Sequence, residues 1–265
     1  MKKAFTPFLA IVISIVIYAC STVPLTGRSQ LSLVSDDQIN PAAAQSYHEL
    51  LSDPKTTVIN GTTDAERVKR IGNKLAVAID SYLKANGYNY DFKWEFNLIK
   101  SPEVNAWCMP GGKVAVYSGI LPITQTDAGL ATVMGHEIGH AIAHHSAEAL
   151  SQQLALQAGG SVVNAATGSQ SQTTQVLINQ LYGVGGQLAT LKYSRDKENE
   201  ADRLGLTFMA MAGYDPHQAL AFWQRMAAQN DGGSPPEFLS THPSDATRIA
   251  NIQRLIPEAM KYYRK

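Results

Sequence analysis

Apolar residues recur at helical spacing along most of this chain, and alternation with period two is confined to one stretch before its middle. Residues 63–85 carry Val68, Ile71, Leu75 and Ile79 on one face and end at Asn86-Gly87, which predicts an amphipathic helix with a glycine stop. Residues 36–51 read as an earlier helix, begun at Ser35-Asp36. Between 88 and 99, Phe92, Trp94, Phe96 and Leu98 alternate with polar neighbours, which predicts a strand with one wet face. Pro110-Gly111-Gly112 is a turn leading into a second short strand over 113–117. Helical patterns follow at 127–156, as one or two helices, and at 193–212 and 215–229, parted by Gly213. A last helix is expected from near Ser244 to about Tyr262, with Pro257 a place to bend. A small sheet followed by many helices predicts an α+β fold, mainly helical with a small β-sheet.

Two stretches depart from these patterns. Residues 159–186 are rich in Gly, Ser, Thr, Gln and Asn, and their composition fits a helical hairpin or lid as well as a plain surface insertion. At the N-terminus a basic start, Met1-Lys2-Lys3, precedes an apolar run over 8–19 broken only by Ser14, the layout of an export signal. The run falls short of the ~20 residues that span a bilayer as a helix. Ile17-Tyr18-Ala19-Cys20 resembles a bacterial lipobox, cut before Cys20 and lipidated on its thiol. Ser21 after it resembles an outer-membrane sorting signal of Gram-negative bacteria. The expected organisation is therefore a signal peptide over 1–19, a lipidated tether over 20–35 and one domain over 36–265. The expected location is the Gram-negative cell envelope, lipid-anchored in the outer membrane and facing the periplasm.

With 22 basic and 22 acidic residues among 265, the chain carries no net charge, and it has no long like-charged run. Nucleic acid is therefore not an expected partner. A hydrophobic fraction of 45% and two cysteines exclude a disordered chain and a disulfide scaffold. Cys108, between Trp107 and Met109, reads as a small buried hydrophobe.

The chemistry is concentrated in His136-Glu137-Ile138-Gly139-His140. On a helix, His136 and His140 lie one turn apart and differ by about 40° in direction, so both imidazoles reach one tetrahedral ion. Glu137 lies beside that pair, where a carboxylate acts as general base on a metal-activated water. The flanks Ala131, Val133, Met134, Ile138, Ala141 and Ile142 make the helix apolar on most sides, hence buried. Gly139 in its middle points to close packing. His144 lies too far along the axis to share the ion, and His145 points nearly opposite to His136. Catalytic zinc usually takes a third protein ligand. Glu198-Asn199-Glu200-Ala201-Asp202 offers Glu198 and Asp202 on one face, with Glu200 looking away. Such a pair can divide labour, one carboxylate ligating and the other orienting a ligand histidine; an acidic cluster at a helix N-terminus, with an Arg195–Glu198 ion pair, is the plainer account.

His136-Glu-x-x-His140 followed by Glu198-x-x-x-Asp202 resembles the M48 family of zinc metallopeptidases, in its Oma1-like and BepA- or LoiP-like branch of bacterial periplasmic proteases. Asn105-Ala106, Pro110-Gly111-Gly112, Tyr193-Ser194-Arg195, Ala212-Gly213-Tyr214-Asp215-Pro216, Thr241-His242-Pro243-Ser244 with Arg248, and Pro24-Leu25-Thr26-Gly27-Arg28 extend the likeness over nearly the whole chain. The resemblance implies a zincin-like domain binding one zinc ion per chain, with Glu198 the third ligand and Asp202 its hydrogen-bonding support. It implies a substrate strand added at a sheet edge near 113–117, with Asn105, Ala106, Gly111, Gly112 and Val114 in contact. It also implies a late His-Pro motif in which His242 either stabilises the oxyanion or occupies zinc's fourth position at rest, and Arg248 either orients it or stabilises charge. The expected activity is a zinc endopeptidase acting on misfolded or misassembled envelope proteins, with protein substrates, a lipid-held membrane contact and envelope assembly machinery as partners. A binding-only assembly factor with latent or lost peptidase activity is the alternative.

Overall fold

A computed structural model of the chain describes residues 20–159, 173–174, 176–178, 193–230, 236–242 and 246–264. The segment over 1–19, expected to be a signal peptide, most of the stretch over 159–186, expected to be an insertion, and Pro243 and Ser244 lie outside the described residues. The chain opens with a hairpin, β1 (Cys20–Thr22) and β2 (Ser29–Leu31), followed by α1 (Asp36–Ser52), β3 (Val58–Ile59) and α2 (Thr63–Ala85). The strands β4 (Glu95–Ile99), β5 (Ala106–Met109) and β6 (Lys113–Tyr117) then complete a four-stranded sheet in the order β3-β4-β6-β5. Only the β4–β6 pair is parallel. Helices make up the rest: α3 (Leu121–Thr124), α4 (Asp127–Ile142), α5 (His145–Gly159), α6 (Arg195–Met211), α7 (Gln218–Ala227), α8 (Glu237–Thr241) and α9 (Ala246–Ala259). The architecture is α+β and mainly helical, as expected. Among the described residues no helix is long and apolar enough to cross a membrane.

Local chemistry sets the boundaries. Thr62, Thr126 and Ser194 cap α2, α4 and α6 by accepting from the amides of Ala65, Gly129 and Lys197. The expected 127–156 helix is two, because His144 stands in left-handed conformation at φ +52 and turns the chain between α4 and α5. The strand expected over 88–99 covers only Glu95–Ile99. In the stretch before it the period-two aromatics stack instead: Tyr90 on Phe92 at 5.7 Å, Phe92 on Trp94 at 4.7 Å and Trp94 on Phe96 at 6.0 Å between ring centroids. The β5–β6 turn places Gly111 at φ +77 after Pro110, with Gly112 N–H donating to Met109 C=O, a type II pattern.

Two expectations are corrected. Strand β6 is interior, paired with β4 on one side and β5 on the other, so the sheet edge beside it is β5 and the opposite edge is β3. The segment over 20–35, expected to be a tether, is docked: Val23 is fully buried and Arg28 reaches carboxylates on α5 and α6. The core forms around α4, where Leu130, Val133, Met134, Ile138 and Ile142 are all fully buried. Each such side chain contributes about 1.5–3 kcal/mol from burial. That apolar jacket holds a row of polar groups away from water.

Candidate metal centre

Helices α4 and α6 meet almost backbone to backbone. A Cβ on Gly139 would lie 2.8 Å from the carbonyl oxygen of Ala201, and one on Gly205 would lie 2.8 Å from the amide of His136. The glycine inside α4 costs about 1 kcal/mol in helix propensity relative to alanine. In return, the short side chains of Glu198 and Asp202 on α6 reach the imidazoles on α4.

His136 Nε2 lies 3.1 Å from His140 Nε2 and 3.5 Å from Glu198 Oε2, and His140 Nε2 lies 3.4 Å from Glu198 Oε1. Just after α8, His242 brings Nδ1 within 3.2 Å of His136 Nε2 and 2.9 Å of Glu198 Oε1. One ligand atom from each of these four residues lies within 4.8 Å of all the others, and all four residues are buried. Tetrahedral bonds of about 2.0–2.2 Å separate their ligand atoms by about 3.3–3.6 Å, close to this spacing.

The hydrogen-bond network fixes the tautomers. His136 Nδ1 donates to Asp202 Oδ1 at 2.9 Å, which leaves its Nε2 lone pair facing inward. Asp202 is clamped by Arg248, with Nε to Oδ2 and Nη2 to Oδ1 both at 2.8 Å. The Arg248 guanidinium lies 3.5 Å over the Trp223 ring, and its Nη1 donates to the His242 carbonyl. His140 is oriented differently. Its Nδ1 lies 2.8 Å from His145 Nδ1, and His145 Nε2 lies 3.0 Å from Glu200 Oε2. An ionised carboxylate only accepts, so His145 donates from Nε2 and accepts at Nδ1, and His140 donates from Nδ1. His140 Nε2 is therefore bare as well. Two unprotonated nitrogens facing each other at 3.1 Å, beside a buried Glu198 Oε2 that lies 3.2 Å from Arg248 Nη1, form a donor set suited to a cation.

The electrostatics agree. Burial, with the neighbouring His136 and His145, holds the His140 imidazole well below its usual range, so it stays neutral although Glu198 pulls the other way. For His136, burial and Arg248 lower the pKa, but the neighbouring carboxylates of Asp202 and Glu198 outweigh them and the net shift is upward. Burial would raise Glu198; the surrounding imidazoles of His136, His140 and His242 overcome it and keep the carboxylate far below its usual range. Glu137 is pushed up to about 7, chiefly by burial, with Glu198 and Asp202 adding to the shift and His242 and Arg248 opposing it. Its Oε1 has no hydrogen-bond partner and lies 3.6 Å from His242 Nε2. That places an unengaged carboxylate beside the ligand cluster.

His136, Glu137, His140, Glu198, Asp202, His242 and Arg248 are thus brought together. Asn105 and Ala106 stand at the start of the edge strand β5, both buried. Gly111 and Gly112 form the turn, where Gly112 packs against Trp94. Val114 cannot hold an added strand: it is fully buried and paired to Phe96 on one side and Cys108 on the other. Cys108 is half-buried and its thiol is pushed well up by burial, an inert side chain. Cys20 is exposed at the head of β1. Sequence reasoning missed His145 and Glu200, and also Tyr193, whose ring stacks on His140 at 4.3 Å. On a straight helix His145 would have pointed away, and the break at His144 re-aims it.

A model of peptidase family M48 matches residues 62–256, which include every one of these ligand-cluster residues. The chain belongs to peptidase family M48. Among curated relatives, a mitochondrial metalloendopeptidase OMA1 of Schizosaccharomyces pombe is 35% identical over 243 residues, 89% of this chain and 66% of the relative. The OMA1 metalloendopeptidase of Homo sapiens is 29% identical over 90% of this chain and 46% of its own length. A putative beta-barrel assembly-enhancing protease of Vibrio cholerae is 31% identical over 73% of this chain and 39% of its own. The chain spans about half the length of the OMA1 relatives, from 43% to 66%. These matches correct the expected location: relatives covering 84–90% of this M48 chain carry mitochondrial names in fission yeast, plant and human. The reading of a Gram-negative outer-membrane lipoprotein does not stand.

Proposed function

We propose that this M48 chain is a zinc-dependent endopeptidase that hydrolyses peptide bonds in misfolded or misassembled proteins. The observation that carries this reading is the convergence of His136, His140, Glu198 and His242 within 4.8 Å, beside the unpartnered Oε1 of Glu137. Imidazole and carboxylate donors of this kind suit zinc, which supplies Lewis-acid polarisation of a peptide carbonyl and of the attacking water.

The chain's own residues supply the rest. His136, His140 and Glu198 would hold the ion, with the imidazole tautomers set by Asp202 and His145. Glu137, raised to about 7, accepts the proton of the attacking water and returns it to the leaving amine. The outer edge of β5 offers backbone N–H and C=O groups to an extended peptide, with Asn105 and Ala106 at its start. His242 would help hold the ion at rest, since its Nδ1 sits among the other donors while its Nε2 faces Glu137. In that role it would keep the resting site closed to a substrate carbonyl.

Glu137→Gln keeps the donor set and removes the base. The purified variant should bind zinc like the wild type and cleave an unfolded protein about 10²–10⁴-fold more slowly. Undiminished, chelator-sensitive cleavage by that variant overturns the assignment. Bound zinc with no chelator-sensitive cleavage by either the wild type or His242→Ala would favour a binding-only assembly factor instead.

A further inference from the structure

The segment ahead of α1 closes a tight turn: Val23 N–H donates to the Arg28 carbonyl at 2.9 Å and Gly27 N–H to the Val23 carbonyl at 3.0 Å. Leu25 and Gly27 take left-handed conformations at φ +66 and +69, and Val23 is fully buried beneath them. The turn presents two side chains to one buried carboxylate. Thr26 Oγ1 donates to Glu200 Oε1 at 2.5 Å, and Arg28 Nε donates to Glu200 Oε2 at 2.7 Å. The rest of the Arg28 guanidinium forms a bidentate pair with Glu148 of α5, Nη1 to Oε1 at 3.1 Å and Nη2 to Oε2 at 3.0 Å, and also reaches Gln30 Oε1 at 3.1 Å. Lys197 Nζ closes on the same Glu148 at 3.3 Å.

These contacts are continuous with the metal centre. Glu200 Oε2, gripped by Arg28, is the oxygen that accepts from His145 Nε2, and His145 in turn fixes His140. We propose that Arg28 and Thr26 are positioning residues for the metal site, acting through Glu200 and His145 to hold His140 in its ligating tautomer and orientation. The inference rests on the metal-site reading above and adds to it a requirement: the site is complete only when the 23–28 turn is seated. Without Arg28 and Thr26, the Glu200 carboxylate is free to turn from His145, and His140 loses the acceptor that keeps its proton on Nδ1. Outer partners of ligand histidines are worth about 10–100-fold in metal affinity when removed.

The test is zinc affinity by chelator competition on the full chain, with the visible absorption of the cobalt(II)-substituted protein as a second readout of ligand geometry. Arg28→Met and His145→Phe are each expected to weaken zinc binding by at least about tenfold and to alter the cobalt spectrum. Arg28→Lys, which retains one charged donor, should recover part of that loss. In the His145→Phe background Arg28→Met should cause no further loss, because the route is already cut. Circular dichroism checks that each variant is folded, and Thr26→Val is the mild variant should Arg28→Met fail to fold; it should weaken zinc binding by a smaller factor. Wild-type affinity and spectrum in folded Arg28→Met, or in Thr26→Val if that is the variant available, overturn the proposal while leaving the metal site intact. Additive losses in the double variant also overturn it, since Arg28 would then act by another route. A wild-type chain that binds no zinc overturns the metal-site reading itself.

Discussion

His136 and His140 sit one turn apart on the same helix and are oriented by opposite strategies. Behind His136 the support is short and charged: Asp202 accepts directly from the ring, Arg248 clamps Asp202, and Trp223 covers Arg248. Behind His140 the support is long and passes through a second ring, from His145 to Glu200 to the turn that carries Thr26 and Arg28. The first arm lies within the helical core, between α4, α6 and α9. The second leaves that core and ends on a segment some 170 residues away in the chain, with 172 positions separating Arg28 from Glu200. A metal centre assembled this way would tie one candidate ligand to the stability of the core and the other to the docking of a surface turn.

The largest expected effect is on the ligands themselves. His140→Ala or Glu198→Ala should abolish stoichiometric zinc in elemental analysis, whereas Glu137→Gln should retain it. Removal of the short arm comes next. Asp202→Ala leaves Arg248 buried without its main partner, which costs about 3–5 kcal/mol in unfolding free energy, and should lower zinc affinity about 10–100-fold. Urea denaturation measures the first effect and chelator competition the second. A variant of the long arm such as His145→Phe should weaken zinc to a similar degree but destabilise the fold less, because it strands no buried guanidinium. Equal destabilisation by the two variants would erase the contrast between the arms.

Much of the short arm was legible in the sequence, and the long arm was not. His136, Glu137 and His140 are fixed by helical spacing, and Glu198 and Asp202 share a face for the same reason. Close packing at Gly139 was also legible, because a glycine in an otherwise buried helix has to be justified by what approaches it. The long arm depends on a break that periodicity does not show. His144 takes a left-handed conformation, which swings His145 behind His140, and Glu200 turns its face toward both. The available signal was the surplus of chemistry: a second histidine after a buried helix, and a second acid in Glu198-Asn199-Glu200. The interior position of β6 was hidden as well, since β5 over Ala106–Met109 carries no alternation to announce a strand.

Smaller effects sharpen the comparison further. Gly139→Ala presses a methyl against the Ala201 backbone and should cost about 1–3 kcal/mol by overpacking, read from the urea midpoint. Acid stability isolates the long arm. Burial alone would raise Glu200, but His145, Thr26 and Arg28 hold its pKa down to about 2 from an ordinary 4.5. Its contribution is therefore fully present above about pH 4.5 and is lost as pH falls toward about 2. Glu200→Gln should flatten the fall in stability across that window while leaving the neutral-pH slope unchanged.

The most direct measurement is X-ray anomalous scattering at the zinc edge from crystals of the purified chain. One peak bonded to His136 Nε2, His140 Nε2 and Glu198, with His242 Nδ1 alongside, is the expected result. Stoichiometric zinc bound elsewhere, or no peak among these four side chains after zinc reconstitution, would contradict the account.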